Sequence, residues 1–267
     1  MFILYIIYMC DLLYFGDHCG PGIIIWDILN KRDKLLFMLG SFTFDQILLF
    51  LKDRNFYSIY DKNYLVNSKN ESLMPNIKSE INKNIHFENP KHDNCIKHSK
   101  YNFKFLHDYI YSHEENAILN YDYIVNQYNL KIMNTMNVFN NHNPVLIINF
   151  VYSDYSNDVI KNNINDMLNV LTSYMPHKKY YLLFFTNFEI PNIHFDNVFF
   201  IKLNNNYGNW NVTPNNLRVG LYSEIYSGFY NVAKHLNLNN NFPLFENTYY
   251  YKNNVNNNDL NTCGCLD

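Results

Sequence analysis

A cysteine at position 19 sits in the stretch YFGDHCGPGIIIWDI, after a short apolar run at 12–15 and Gly16, and just before a helical pattern at 21–31. Gly16 suits a tight strand-to-helix turn, and Pro21 and Gly22 fall where a first helical turn would begin. A thiol at that position feels the positive end of the helix dipole, which favours thiolate and lowers its pKa. The unpaired N–H groups of the same turn can receive an oxyanion. That chemistry is nucleophilic attack on an acyl carbon, and it needs a general base from elsewhere in the chain. His107, in YNFKFLHDYIY, is the best-placed histidine. Tyr101, Phe103 and Phe105 alternate with polar or smaller residues, and His107 shares their parity. In a strand of period 2 it therefore faces the same, inward side. Both residues also have a bland reading, as a buried free thiol and as a satisfied core histidine.

Three blocks in this order, LLYFGDHCGPG, SFTFDQI and FLHDY, resemble a family of papain-like cysteine peptidases, formerly a domain of unknown function, found in bacteria and large DNA viruses. The likeness spans roughly residues 9–235 and is best over the first 110. It implies an α/β fold with Cys19 as nucleophile and His107 as base. Gly16 and Cys19 match the first block, Phe44 and Asp45 the second, His107 and Asp108 the third, and Trp210 falls where a late tryptophan is expected. A third group should fix the imidazole tautomer. The resemblance offers Asp45 first, because it lies in a family block far from His107 in sequence. Asp108 is the alternative, although neighbours on a strand point to opposite faces. The chain departs from the family pattern at Thr43, where proline is usual, and at Gln46, where tryptophan is usual. An arginine-rich helix is reduced to Lys131. If those arginines hold an anionic group, the substrate here is changed or lost.

The elements that must position these residues read as follows. Short apolar stretches at 12–15, 145–151, 180–185 and 198–203 are expected to be buried strands. Helical patterns run over 21–31, 44–51, 117–140, 157–174 and from Pro214 to about 235, the last with Thr213 as N-cap. From Pro144 onward the order is strand, helix, strand, strand, helix. This predicts an α/β fold: a mixed, largely parallel sheet flanked by helices, with the candidate nucleophile at the N-terminus of the first helix. Residues 1–236 read as one domain. Within it 66–100 is a variable polar insertion, and 237–267 is an Asn-rich, loosely ordered tail.

Hydrophobic residues make up 48% of the 267, enough for a sizeable core. A charged fraction of 17% and a formal net charge of −3 argue against a nucleic-acid partner, which needs clustered Lys and Arg. The Asn, Ile, Tyr and Lys excess is what an AT-rich coding sequence favours. Five irregularly spaced cysteines are not a disulfide framework, and a reducing, cytoplasmic setting is expected. The apolar start lacks a basic region and a cleavage site and is shorter than the ~20 residues that span a bilayer, so a buried strand and no membrane are expected. His86, His92, Cys95 and His98 lie within thirteen residues, but their spacing matches no standard zinc site. No Gly-rich phosphate loop is present, so neither a metal nor a cofactor is expected. The expected partner is a peptide or other acyl substrate of a thiol hydrolase. The alternatives are a non-catalytic interaction protein on the same fold and a transferase using the α/β second half.

Overall fold

The structure is a computed structural model that describes residues 10–16, 35–37, 42–72, 74–77, 96–105, 108–112, 115–151, 155–187, 194–203 and 215–238. In chain order the elements are β1 (Asp11–Gly16), α1 (Phe44–Asp53), β2 (Leu65–Asn67), β3 (Asn76–Ile77), β4 (Ile96–His98), β5 (Phe103–Phe105), β6 (Tyr111–Ser112) and β7 (Ala117–Ile118). They continue with α2 (Tyr121–Asn140), β8 (Val145–Val151), α3 (Tyr155–Tyr174), β9 (Tyr180–Thr186), β10 (Val198–Lys202) and α4 (Asn215–His235). Two 3₁₀ turns, Phe56–Tyr60 and Lys62–Tyr64, link α1 to β2.

The fold is α/β. A four-stranded sheet in the order β1-β8-β9-β10 has every pair parallel. Parallel strands covered on both faces read as continuous apolar runs. VLIINFV of β8 is such a run, and all seven of its residues are buried. Consecutive strand residues point to opposite faces, and two neighbours on β9 show what covers each. Phe184 meets Phe44 of α1 edge to face, with centroids 5.5 Å apart. Phe185 faces α4, where a methyl on Gly228 would lie 2.9 Å from Phe185 Cε1 and 2.6 Å from Ile201 Cδ1. The missing side chain at 228 thus lets α4 lie directly on β9 and β10. Helix α3 packs beside α1, where the Tyr174 hydroxyl donates to Leu51 O at 2.8 Å and Lys52 pairs with Asp166 at 2.5 Å.

The stretch expected as polar insertion contributes strands at its edges. β2, β4 and β5 make a small antiparallel sheet, and β3, β7 and β6 make another. Apart from β5, where Tyr101, Phe103 and Phe105 alternate, these strands of two or three residues are too short for a period-2 pattern to register. The helix expected from 117 instead starts at Tyr121, because Ala117–Ile118 pairs with both β3 and β6. The helix expected at 21–31 and the Thr213 cap lie outside the described residues. Among the described residues no helix is long and apolar enough to cross a membrane.

Candidate active site

Cys19, His107 and Trp210 lie outside the described residues, whereas Asp45, Asp108 and the anchors on either side of the candidate pair are described. β1 carries the chain to Gly16, which pairs with Phe150 near the carboxyl end of β8. The chain therefore leaves the carboxyl edge of the parallel sheet three residues before Cys19. Open α/β sheets bind ligands at that edge.

The opposite, amino edge is closed. Lys178, 4% exposed, donates from Nζ to Asn141 Oδ1 at 2.6 Å and to Val138 O, and lies 3.9 Å from Asp11 Oδ2. Asn141 in turn donates to Asp11. Burial lowers the Lys178 ammonium below its ordinary pKa, against the pull of Asp11. Cys10 sits beside this knot, buried, with its Sγ donating to Asp11 O at 3.3 Å. Burial pushes its thiol up to about 12. One strand thus has an inert thiol at its start and the candidate nucleophile just beyond its end.

The ring of Phe15, four residues before Cys19, is linked by edge-to-face contacts to Phe103, four residues before His107. The path runs through Phe37 at 5.1 Å and Phe42 at 5.8 Å, and Phe42 meets Phe103 at 4.6 Å. Tyr101, Phe103 and Phe105 are all buried, as the alternation required, while Lys104 is exposed.

Phe42 and Thr43 also lead into α1. Gln46 Oε1 accepts the Thr43 N–H at 3.0 Å, capping the helix, and its Nε2 donates to Asn102 O at 2.8 Å. Asn102 holds the left-handed φ of 61° at the β4–β5 turn, a conformation asparagine tolerates. Gln46 therefore ties the α1 cap to the hairpin that leads to His107. Asp45, in the first turn of α1, accepts from the Thr43 hydroxyl at 2.5 Å. Its position also suits the positive end of the helix.

Asp108 stands differently. Its Oδ2 accepts the Tyr128 hydroxyl at 2.9 Å, and its Oδ1 lies 3.8 Å from Lys131 Nζ. Lys131 points inward from α2, buried, with its ammonium 4.3 Å above the Tyr128 ring. Burial, and then the Asp108 carboxylate, raise Tyr128 well above the usual phenol range. Tyr109 is raised likewise, and its buried hydroxyl has no hydrogen-bond partner among the described residues. Asn120 clamps the segment from behind: its Nδ2 donates to Asp108 O and its Oδ1 accepts the Ile110 N–H, both at 2.8 Å. Asn120 and Tyr128 were not read from the sequence, where an asparagine excess and a tyrosine at a core-facing helix position carry no distinguishing signal.

Of the histidine-rich stretch, His86, His92 and Cys95 lie outside the described residues, and His98 is not solvated. It is fully buried, stacked on Tyr101 at 4.6 Å, with Tyr64 5.2 Å away. Its Nδ1 accepts the Tyr101 N–H at 3.3 Å, so the proton sits on Nε2 and is donated to Ser58 O at 2.8 Å. Both nitrogens are spent on the backbone, leaving neither for a metal or a substrate. Among the described residues no group of three or more His, Cys, Asp or Glu could hold a metal ion. The neighbouring Tyr101 hydroxyl donates to Asp53 at 2.5 Å and meets Ser58 Oγ at 2.7 Å.

Burial holds the His98 pKa below its ordinary 6.5. A depressed folded-state value means that the unfolded chain takes the proton first as pH falls. The contribution of neutral His98 is therefore complete above about pH 6.5 and is lost on acidification below it. Denaturant titrations of wild type and His98→Phe between pH 5 and 7.5 are expected to show the wild type losing more stability on acidification. Parallel pH curves would remove His98 from the acid response.

No family model, curated protein or solved structure matches the chain.

Proposed function

We propose that the protein is a thiol acyl hydrolase of the papain-like cysteine peptidase type, with Cys19 as nucleophile and His107 as general base. The reading is carried by one observation. The strand leading to Cys19 ends at the carboxyl edge of the parallel sheet, and its last aromatic ring, Phe15, shares a ring cluster with Phe103, the anchor of the strand leading to His107.

In the reaction the Cys19 thiol gives its proton to His107 and the sulfur bonds to the acyl carbon. The tetrahedral oxyanion collapses, the C–N or C–O bond breaks, and the imidazolium protonates the leaving amine or alcohol. Water then attacks the thioester, His107 takes its proton and returns it to sulfur, and the free acid leaves. Asp45 remains the first choice for orienting His107. Among the described residues its carboxylate is bonded to the Thr43 hydroxyl, whereas that of Asp108 is committed to Tyr128 and Lys131. Such a free thiol suits a reducing compartment.

The second reading, a non-catalytic interaction protein, is favoured by Lys131. It stands for the family's basic helix, yet it is buried against Asp108 and Tyr128 rather than offered to an anionic substrate.

p-Nitrophenyl acetate separates the two. The hydrolase is expected to release a burst of nitrophenol and carry acetyl on Cys19, located by mass spectrometry. Cys19→Ser and His107→Gln should each slow acylation by about a thousandfold or more. Acetyl distributed over lysines, with no effect of either substitution, overturns the hydrolase reading.

A further inference from the structure

We propose that Asn120 is a positioning residue for the general base, holding from the head of α2 the main chain that immediately follows His107. The inference rests on the hydrolase reading above and adds to it the element that sets where the imidazole stands.

Asn120 occupies the N-cap of α2, where an asparagine side chain ordinarily accepts an N–H of its own first turn. Here the side chain makes no cap bond. It turns back instead, with Nδ2 donating to Asp108 O and Oδ1 accepting the Ile110 N–H, both at 2.8 Å. A carbonyl can only accept and an N–H only donate, so these partners fix which way the amide points. The helix forgoes the stabilisation of a cap for this contact. The amide carries the donor and acceptor of a peptide unit, and it serves as one. Tyr111–Ser112 of β6 pairs with Ala117–Ile118 of β7, and the Leu119 N–H donates to Ile110 O at 2.9 Å. Past Leu119 the chain enters α2 and offers no further strand. The Asn120 side chain continues the ladder in its place, and at 4% exposure it does so with little competition from water.

The same helix grips the chain on both sides of the base. The Tyr128 ring lies 6.1 Å from that of Phe105, two residues before His107, and its hydroxyl donates to Asp108 Oδ2, one residue after it, at 2.9 Å. Phe105 and Tyr109, flanking His107, meet edge to face at 5.0 Å. The carbonyl oxygen, Oδ2 and Oδ1 of Asp108 face Asn120, Tyr128 and Lys131 in turn, all from α2. The chain thus reaches His107 and leaves it at points fixed to one helix. A general base must stand within hydrogen-bond reach of the proton it takes, and a displacement of about 1 Å costs on the order of a hundredfold in rate. Tyr128 and Lys131 hold the Asp108 side chain, whereas Asn120 holds its main chain, so Asn120→Ala leaves every charge in place.

The test is a double-mutant cycle on the acylation of Cys19 by p-nitrophenyl acetate in the full chain, followed by mass spectrometry. Asn120→Ala is expected to slow acylation about tenfold or more in the wild-type background. In the His107→Gln background, where no base is left to misplace, it should slow it less than about twofold. Asn120→Asp keeps the acceptor for Ile110 and loses the donor to Asp108. It should show the same dependence on His107, and it decides the matter should the alanine variant fold poorly. Phe139→Leu, in the buried far end of α2, should lower stability and leave the acylation rate within about twofold of wild type. Equal slowing in both backgrounds, no slowing in folded Asn120 variants, or equal slowing by Phe139→Leu overturns the proposal. A wild type that carries no acetyl on Cys19 overturns the hydrolase reading and this one with it, whereas Cys19 acylation that ignores Asn120 overturns this one alone.

Discussion

At pH 7 a small electrophile such as iodoacetamide is expected to modify Cys19 about a thousandfold faster than Cys10. The thiolate is the reacting species. With its pKa pushed up to about 12 by burial, Cys10 holds roughly one thiolate in 10⁵ at neutral pH. A thiol of ordinary pKa holds about 3%, and one at a helix N-terminus holds more. The higher intrinsic nucleophilicity of a basic thiolate gives back about one and a half decades. Access takes them away again, since Cys10 is only 6% exposed and already bonded to Asp11 O. Peptide mapping after timed alkylation reads the rates directly, with Cys95 and Cys263 as internal references. If Cys19 is an activated nucleophile it should lead those two by about tenfold or more. Equal rates for Cys19, Cys95 and Cys263, with Cys10 alone protected, would sink activation and leave the interaction-protein reading.

The large sheet was legible because its central strands, β8 and most of β9, are buried on both faces. Runs such as VLIINFV and YYLLFFT have no amphipathic ambiguity, and their order with the intervening helices points to parallel pairing. Of the small sheets, β5 was legible from the alternation of Tyr101, Phe103 and Phe105, and the other strands were not. A strand of two or three residues such as Asn76–Ile77 is fixed by its partner, Ala117–Ile118, and not by its own pattern. Polar residues misled in the same way. His98 lies in a lysine- and asparagine-rich stretch, yet its ring is enclosed by Tyr64 and Tyr101, contacts made across strand and turn. Asn120 is one asparagine among many in sequence, but its amide replaces a strand partner for residues 108–110. Lys131 belongs to a helix that reads as amphipathic, and only the packing shows it turned inward. For the candidate site both aspartates were singled out from motif order. What the motif could not distinguish was the company each carboxylate keeps, because those partners come from a cap in one case and from a helix twenty residues later in the other.

That difference in company makes Asp108→Asn the most destabilising of the site substitutions expected here. The amide keeps an acceptor for the Tyr128 hydroxyl and nearly the same shape, so the change removes charge alone. It leaves the Lys131 ammonium buried over the Tyr128 ring with its carboxylate partner gone. Breaking a fully buried pair costs about 3–5 kcal/mol. The Asp108 side chain is 24% exposed, so water screens part of the pair and about 2–3 kcal/mol is expected. Lys131→Met should cost about 1 kcal/mol or less, because the thioether covers the same ring while Asp108 keeps its Tyr128 bond and its partial exposure to solvent. The double variant should be more stable than Asp108→Asn alone, which a structural role without the charge pair does not produce. Asp45→Asn, at an open cap, should cost about 1 kcal/mol or less. Urea denaturation of the four variants gives the order, and it also makes the third-group question answerable. Loss of Cys19 acylation in a stable Asp45→Asn protein identifies Asp45 as the residue that orients His107. Full acylation in that protein, with loss in Asp108→Asn under conditions where it remains folded, transfers the role to Asp108.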